Sequence, residues 1–105
     1  MVDKLLKSAG LLAWESLCPD PPSSTYAIYF DEVTTDGPDW YNWILTHDCT
    51  VELYEPTADA DAEAALEKVL DDSGIRWTKQ SRYWLQSVQR YQVIYEFTII
   101  EKRRP

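Results

Sequence analysis

Apolar residues at Val2, Leu5, Leu6 and Ala9 recur at i, i+3, i+4 and i+7, one stripe of a short helix. Gly10 follows where a left-handed cap would end it. Leu11 to Trp14 is apolar and predicts a brief strand or an extended lead-in. Pro19, Pro21 and Pro22, set among Asp20, Ser23 and Ser24, predict a loop, because each proline removes a backbone donor and fixes φ. Tyr26-Ala27-Ile28-Tyr29-Phe30 is a β-branched and aromatic run and predicts a strand. Thr34 to Asp39, with Gly37 and Pro38, has the composition of a turn. Trp40 to Tyr54 then reads as extended, with Val51 and Leu53 alternating against Glu52 and Tyr54 until Pro56 closes the run. Together the two runs predict a hairpin with a long, protruding tip.

The second helix has the clearest pattern. Ala62, Ala65, Leu66, Val69 and Leu70 form one face at i, i+3, i+4, i+7 and i+8. Thr57 or Asp59 can cap it, Asp61 and Glu63 complement its positive end, and Gly74 ends it. Ile75 to Lys79 and Arg82 to Val88 return to extended structure. Gln89-Arg90 lacks the glycine of an ideal two-residue turn. Tyr91 to Ile100 is a strand with two usable faces: Val93, Tyr95, Phe97 and Ile99 on one, Ile94, Glu96, Thr98 and Ile100 on the other. A strand of that kind is central in its sheet, or its second face meets a neighbouring molecule. The predicted fold class is α+β: a single mixed or antiparallel β-sheet of four to five strands with two helices packed on one face. All 105 residues read as one domain, with a charged tail from Glu101 to Pro105.

Composition narrows the partners. With 18 Asp+Glu against 10 Lys+Arg the net charge is −8, so there is no basic face to grip phosphates. No apolar run reaches the roughly 20 residues of a membrane helix. The first residues, Met1-Val2-Asp3-Lys4, mix charge with apolar side chains and predict no signal-peptide core. Two cysteines make no disulfide framework, which suits a soluble protein of a reducing cytoplasm; a Cys18–Cys49 bridge stays open. Five Trp and seven Tyr are many for one small core, so some are expected to meet a partner.

Candidate chemistry is thin. In His47-Asp48-Cys49, alternation puts His47 and Cys49 on one face and Asp48 on the other. One His and one Cys cannot fill a tetrahedral metal site unless Cys18 arrives from the proline loop. Asp59, Asp61 and Glu63 imitate the start of a calcium loop. The positions that need a turn-making glycine and a bidentate Glu are Ala64 and Leu70 instead, so an acidic first helical turn fits better. Gly10, Gly37 and Gly74 are isolated and cradle no phosphate. The residues therefore predict no catalytic, cofactor or metal site. The candidate interface residues are Trp40, Tyr41 and Trp43 at the hairpin, Ile94 and Glu96 on the second face of the last strand, and Arg103 and Arg104 in the tail.

From about Leu11 onward the chain resembles the small tail-completion proteins of long-tailed phages and prophages, the tail terminator or tail-to-head joining class. The pattern is an apolar lead-in and the Pro21-Pro22 loop before Tyr26-Ala27-Ile28-Tyr29, then a long strand ending Val51-Glu52-Leu53-Tyr54. A helix follows, opening Asp61-Ala62-Glu63 and carrying Leu66 and Leu70. Ile75-Arg76-Trp77-Thr78-Lys79 then leads to Tyr91-Gln92-Val93-Ile94-Tyr95-Glu96-Phe97. Trp40-Tyr41-Asn42-Trp43 has no counterpart in that pattern.

The resemblance implies a non-enzymatic virion structural part, made in the bacterial host cytoplasm. Its copies, commonly six, form a ring that caps the tail tube and joins it to the head or neck connector. DNA passes through without specific binding, and an acidic lumen would repel phosphates and let the duplex slide. The residues alone leave two other readings. One is a monomeric adaptor that holds a protein partner with the Trp40–Trp43 hairpin; the other is a small enzyme or metal protein built on His47 and Cys49. A ring needs the second face of the Tyr91–Ile100 strand, or the hairpin, buried between copies, whereas an adaptor could cover that face with its own helices.

Overall fold

Three long strands set the frame of the computed structural model, which describes residues 1–37 and 44–102. The elements in chain order are α1 (Val2–Ser8), β1 (Leu12–Glu15), β2 (Tyr26–Asp36), β3 (Ile44–Glu55), α2 (Ala60–Asp72), β4 (Trp77–Lys79), β5 (Tyr83–Leu85) and β6 (Arg90–Lys102). They build one mixed six-stranded sheet in the order β1-β2-β3-β6-β4, with β5 also paired to β6. Only β1 runs parallel to its neighbour, β2; every other pairing is antiparallel. The sheet has more strands than the four to five expected. β4 and β5 are three residues each, and both lie along one side of β6.

The long strands are 11, 12 and 13 residues, so β3 alone spans roughly 40 Å at strand rise. The molecule is accordingly elongated, 48 × 28 × 21 Å. The register sorts the side chains into two faces. Ala27, Leu53 and Val93 form one row, Tyr29, Val51 and Tyr95 the next, and Asp31, Cys49 and Phe97 the third. The opposite face carries Ile28, Glu52 and Ile94, then Phe30, Thr50 and Glu96, then Glu32, Asp48 and Thr98.

One buried cluster joins the first face to the helices: Val2 and Leu6 of α1, Leu66 and Leu70 of α2, and Ala27, Cys49, Val51, Leu53, Val93, Tyr95 and Phe97 of the sheet. Among the described residues, no member of the opposite face belongs to it. Burying these aliphatic and aromatic groups is the main driving force for the fold.

The helix ends follow their sequence signals. Asp59 caps α2 by accepting the Ala62 amide at 3.1 Å, and Thr25 donates to the other Asp59 oxygen at 2.6 Å, tying the start of β2 to the helix. Gly10 and Gly74 take positive φ (76° and 71°) just past the two helices. The predicted turn at Thr34–Asp39 begins later than its composition suggests. Thr34, Thr35 and Asp36 remain in β2, paired with Thr46, Leu45 and Ile44, because β-branched threonines suit a pleated strand better than a turn. Gln89, with φ 54°, supplies the left-handed residue that the Gln86–Gln89 turn needs without glycine.

Candidate interaction surface

The helix-free face of the sheet is polar and acidic at its centre, with exposed apolar side chains scattered along it. A shallow basin there is lined by Phe30, Glu32, Asp48, Arg76, Glu96 and Thr98, among others. Glu32 and Asp48 sit directly opposite each other on β2 and β3, a like-charge pair held only because both face solvent. Thr98 donates to Asp48 at 3.1 Å, and Gln80 donates to Glu96 at 3.0 Å. Of the predicted interface residues, Ile94 is half-buried on this face beside Glu52 of β3, and Glu96 is exposed two residues on. Trp40, Tyr41, Trp43, Arg103 and Arg104 lie outside the described residues. Phe30, Ile44 and Ile100 are exposed apolar side chains of the same face.

The described aromatics largely pack on one another. Trp14 meets Tyr26 edge-on at 6.2 Å, and Tyr26 stacks on Tyr54 at 5.1 Å. Trp77 meets Tyr95 at 5.6 Å and Trp84 meets Tyr91 at 4.9 Å. Much of the aromatic excess is thus internal.

His47 and Cys49 share a face, with Asp48 on the other. Both imidazole nitrogens face carboxylates: Nδ1 lies 2.9 Å from Asp31 and Nε2 lies 3.1 Å from Glu101. Two acceptors ask for two N–H donors, so the site favours the imidazolium and leaves no lone pair for a metal. Burial opposes the charged form, but the hydrogen bonds to Glu101 and Asp31 outweigh it and raise the His47 pKa. Burial, helped by Asp31 and Asp48, pushes the Cys49 thiol up to about 12, far from a reactive thiolate. Cys18 and Cys49 are both free and buried. Among the described residues, no group of three or more His, Cys, Asp or Glu side chains could hold a metal ion. No described helix is long and apolar enough to cross a membrane.

The structure brings together a second ionic group that sequence reasoning missed. Glu55, at the end of β3, is fully buried; its Oε1 accepts the Asp59 amide at 3.1 Å and faces Arg82 Nε at 3.4 Å. Glu63 of α2 is buried beside it, with Arg82 Nη2 at 2.7 Å and Lys79 at 2.8 Å. Glu67 accepts from Lys79 at 2.8 Å and from the Tyr95 hydroxyl at 2.6 Å. Among the described residues, the remaining Glu55 oxygen, Oε2, has no hydrogen-bond partner. Desolvation, and after it the neighbouring Glu63, push the Glu55 carboxyl up to about 7. Glu63 is itself buried, but its bonds to Glu55, Lys79 and Arg82 hold its pKa below the ordinary value. The sequence did carry a signal for this group. Glu55 continues the apolar Cys49-Val51-Leu53 register, and Glu63 shares the helix face of Leu66 and Leu70.

No family model matches the chain, and no curated protein does. Among solved structures, the fold is similar to that of a chain in the virion of a native gene transfer agent (GTA) particle. The TM-score is 0.53 at 16% identity, over 90% of this chain and 81% of that chain.

Proposed function

We propose that this chain is a non-enzymatic virion structural protein, and more narrowly a tail terminator. Six copies form a ring that caps the tail tube, contacts the tube protein on one side and the head or neck connector on the other, and lets DNA pass without specific binding. The protein assembles in the bacterial host cytoplasm and ends in the virion tail. The observation that carries the reading is the likeness in fold to a chain of a virion particle, which spans nearly the whole of this chain.

The two faces of the sheet add support. Helices α1 and α2 pack with the Val93, Tyr95 and Phe97 side, leaving the Ile94 and Glu96 side without helix cover among the described residues. That favours a face put to use in an assembly over a self-covered adaptor. Glu32, Asp48 and Glu96 on the uncovered side suit a lumen that repels phosphates. A basic lumen would remove this support. Trp40→Ala or Trp43→Ala is expected to weaken association more than it lowers monomer stability; equal losses would make those rings core residues.

Electron microscopy of the gold-labelled protein mixed with its tail tubes tests the role. Label confined to one end of the tube is expected. Label spread along the tube, or absent from it, would overturn the assignment.

A further inference from the structure

Among the described residues, two stretches of strand edge lie open, and they match. On β2, β1 pairs only with Tyr26 to Tyr29. Ser16, at φ 64°, then turns the chain away after its amide donates to the Tyr29 carbonyl at 3.0 Å. That carbonyl points outward, so by the two-residue alternation of a strand Asp31, Val33 and Thr35 also present their N–H and C=O groups outward. On β6, β4 pairs with Tyr95 to Phe97. The outward carbonyls there are Ile94, which accepts the Gln80 amide at 2.9 Å, and Glu96, which faces the Thr78 hydroxyl at 3.4 Å. Thr98, Ile100 and Lys102 follow in the same phase, and no strand pairs with them on that side among the described residues.

We infer that the β2 edge of one copy pairs with the β6 edge of the next, in parallel and in phase, so that the sheet runs on from copy to copy. The inference rests on the ring reading and names the surface that closes it. Each row of the sheet contains one residue from each edge: Glu32 with Thr98, Thr34 with Ile100, Asp36 with Lys102, all through β3. β2 and β6 point the same way because both are antiparallel to β3.

In a parallel pair, a residue whose amide and carbonyl point at the neighbour sits opposite one that points away and bonds to that residue's two flanks. Ile100 opposite Thr34 of the next copy would therefore bond to Val33 and Thr35 of that copy, the outward-facing ones. Side chains stay on their own faces, and the pleat continues unbroken.

Charge selects the same pairing. The β2 edge carries Asp31, Glu32 and Asp36, while β6 ends in Lys102 and is followed in the chain by Arg103 and Arg104. In phase, Lys102 meets Asp36. Val33 and Ile100, 49% and 60% exposed, give each edge an uncovered apolar side chain. Joining two different edges makes a head-to-tail contact, the kind that closes into a ring. An unprotected edge is otherwise a liability for a soluble protein.

Proline substitution tests this, because among the described residues no strand pairs with the Val33 or Ile100 amide. Val33→Pro and Ile100→Pro are each expected to keep the wild-type circular dichroism. Each should lose the wild-type oligomer, measured by native mass spectrometry with and without tail tubes. Mixed together they should form a dimer and nothing larger, since each retains the edge that the other lacks. Charge reversal gives a second readout that does not strain the backbone. Lys102→Glu should weaken association by about tenfold or less, as a partly exposed pair would, and adding Asp36→Lys to the same chain should restore it. Wild-type-sized oligomers from both proline variants, with no rescue in the charge swap, would overturn the edge pairing while leaving the ring intact. A wild-type protein that never associates, even on tubes, would overturn both.

Discussion

The two ends of the long sheet are built differently. Near its start, the rows Ala27–Leu53–Val93 and Tyr29–Val51–Tyr95 lie under Leu6, Leu66 and Leu70, and five of those six sheet residues plus the three leucines are completely shielded from solvent. Toward the far end, the same three strands run past β1 and β4 as a ribbon with both edges open among the described residues. The ribbon's strands are joined by a polar device, the His47 ring between Asp31 of β2 and Glu101 of β6. Apolar burial favours folding wherever the partner comes from the same chain. A polar pin holds a ribbon in shape and leaves its edges available. The covered end therefore supplies the stability, and in the proposed ring the ribbon supplies the surface for assembly.

The largest effect should come from the covered end. Leu66→Ala is expected to cost about 2–5 kcal/mol in urea unfolding, the range for a completely buried leucine, while the folded fraction still associates. A cost near zero would mean that helix α2 contributes no core.

Glu55 comes next. Glu55→Ala strips an acceptor from the Asp59 amide and Arg82, at about 1–3 kcal/mol. Glu55→Gln keeps an acceptor for the Asp59 amide and should be milder. Because the folded Glu55 pKa is raised to about 7, the folded state binds more protons than the unfolded one between the ordinary 4.5 and that value. Its contribution is complete below about pH 4.5 and is lost as pH rises through about 7. Unfolding midpoints at pH 5.5 and 8 should differ more for the wild type than for Glu55→Gln; equal differences would show that Glu55 does not titrate in that window.

His47, also raised, works in the same sense: its contribution is present below its unfolded pKa and is lost as pH rises through the folded value. His47→Gln should cost about 1–2 kcal/mol at pH 5.5 and less at pH 8, read by chemical denaturation. A cost independent of pH would contradict an imidazolium between the two carboxylates.

The smallest effect concerns the bare face. Glu32→Gln removes one half of the Glu32–Asp48 like-charge pair and should raise stability by a few tenths of a kcal/mol. Destabilisation would mean that Glu32 has a favourable partner.

Periodicity made the α+β class, the strand-by-strand alternation of β6 and the buried face of α2 readable, because these depend on burial repeating at fixed spacing. Alternation also placed His47 and Cys49 together. What joins them to Asp31 and Glu101 is pairing across 16 and 54 positions, which local pattern does not encode. Thr34 to Asp36 misled because turn-like composition was overruled by pairing with Ile44 to Thr46. Glu55 and Glu63 were hidden for a different reason. A charge on an apolar face reads as an exception until a second one is found opposite, and here Arg82 and Lys79 arrive from a later segment to complete the group. Open edges have no sequence signature of their own; β1 and β4 reveal them by stopping short.

Assembly into a ring at the tail end is tested most directly by the mass of protein bound per tail tube, measured by sedimentation with light scattering. Saturation at one ring's worth of copies, commonly six, is expected for each tube. A protein that stays monomeric and fails to pellet with tubes at any concentration would contradict it.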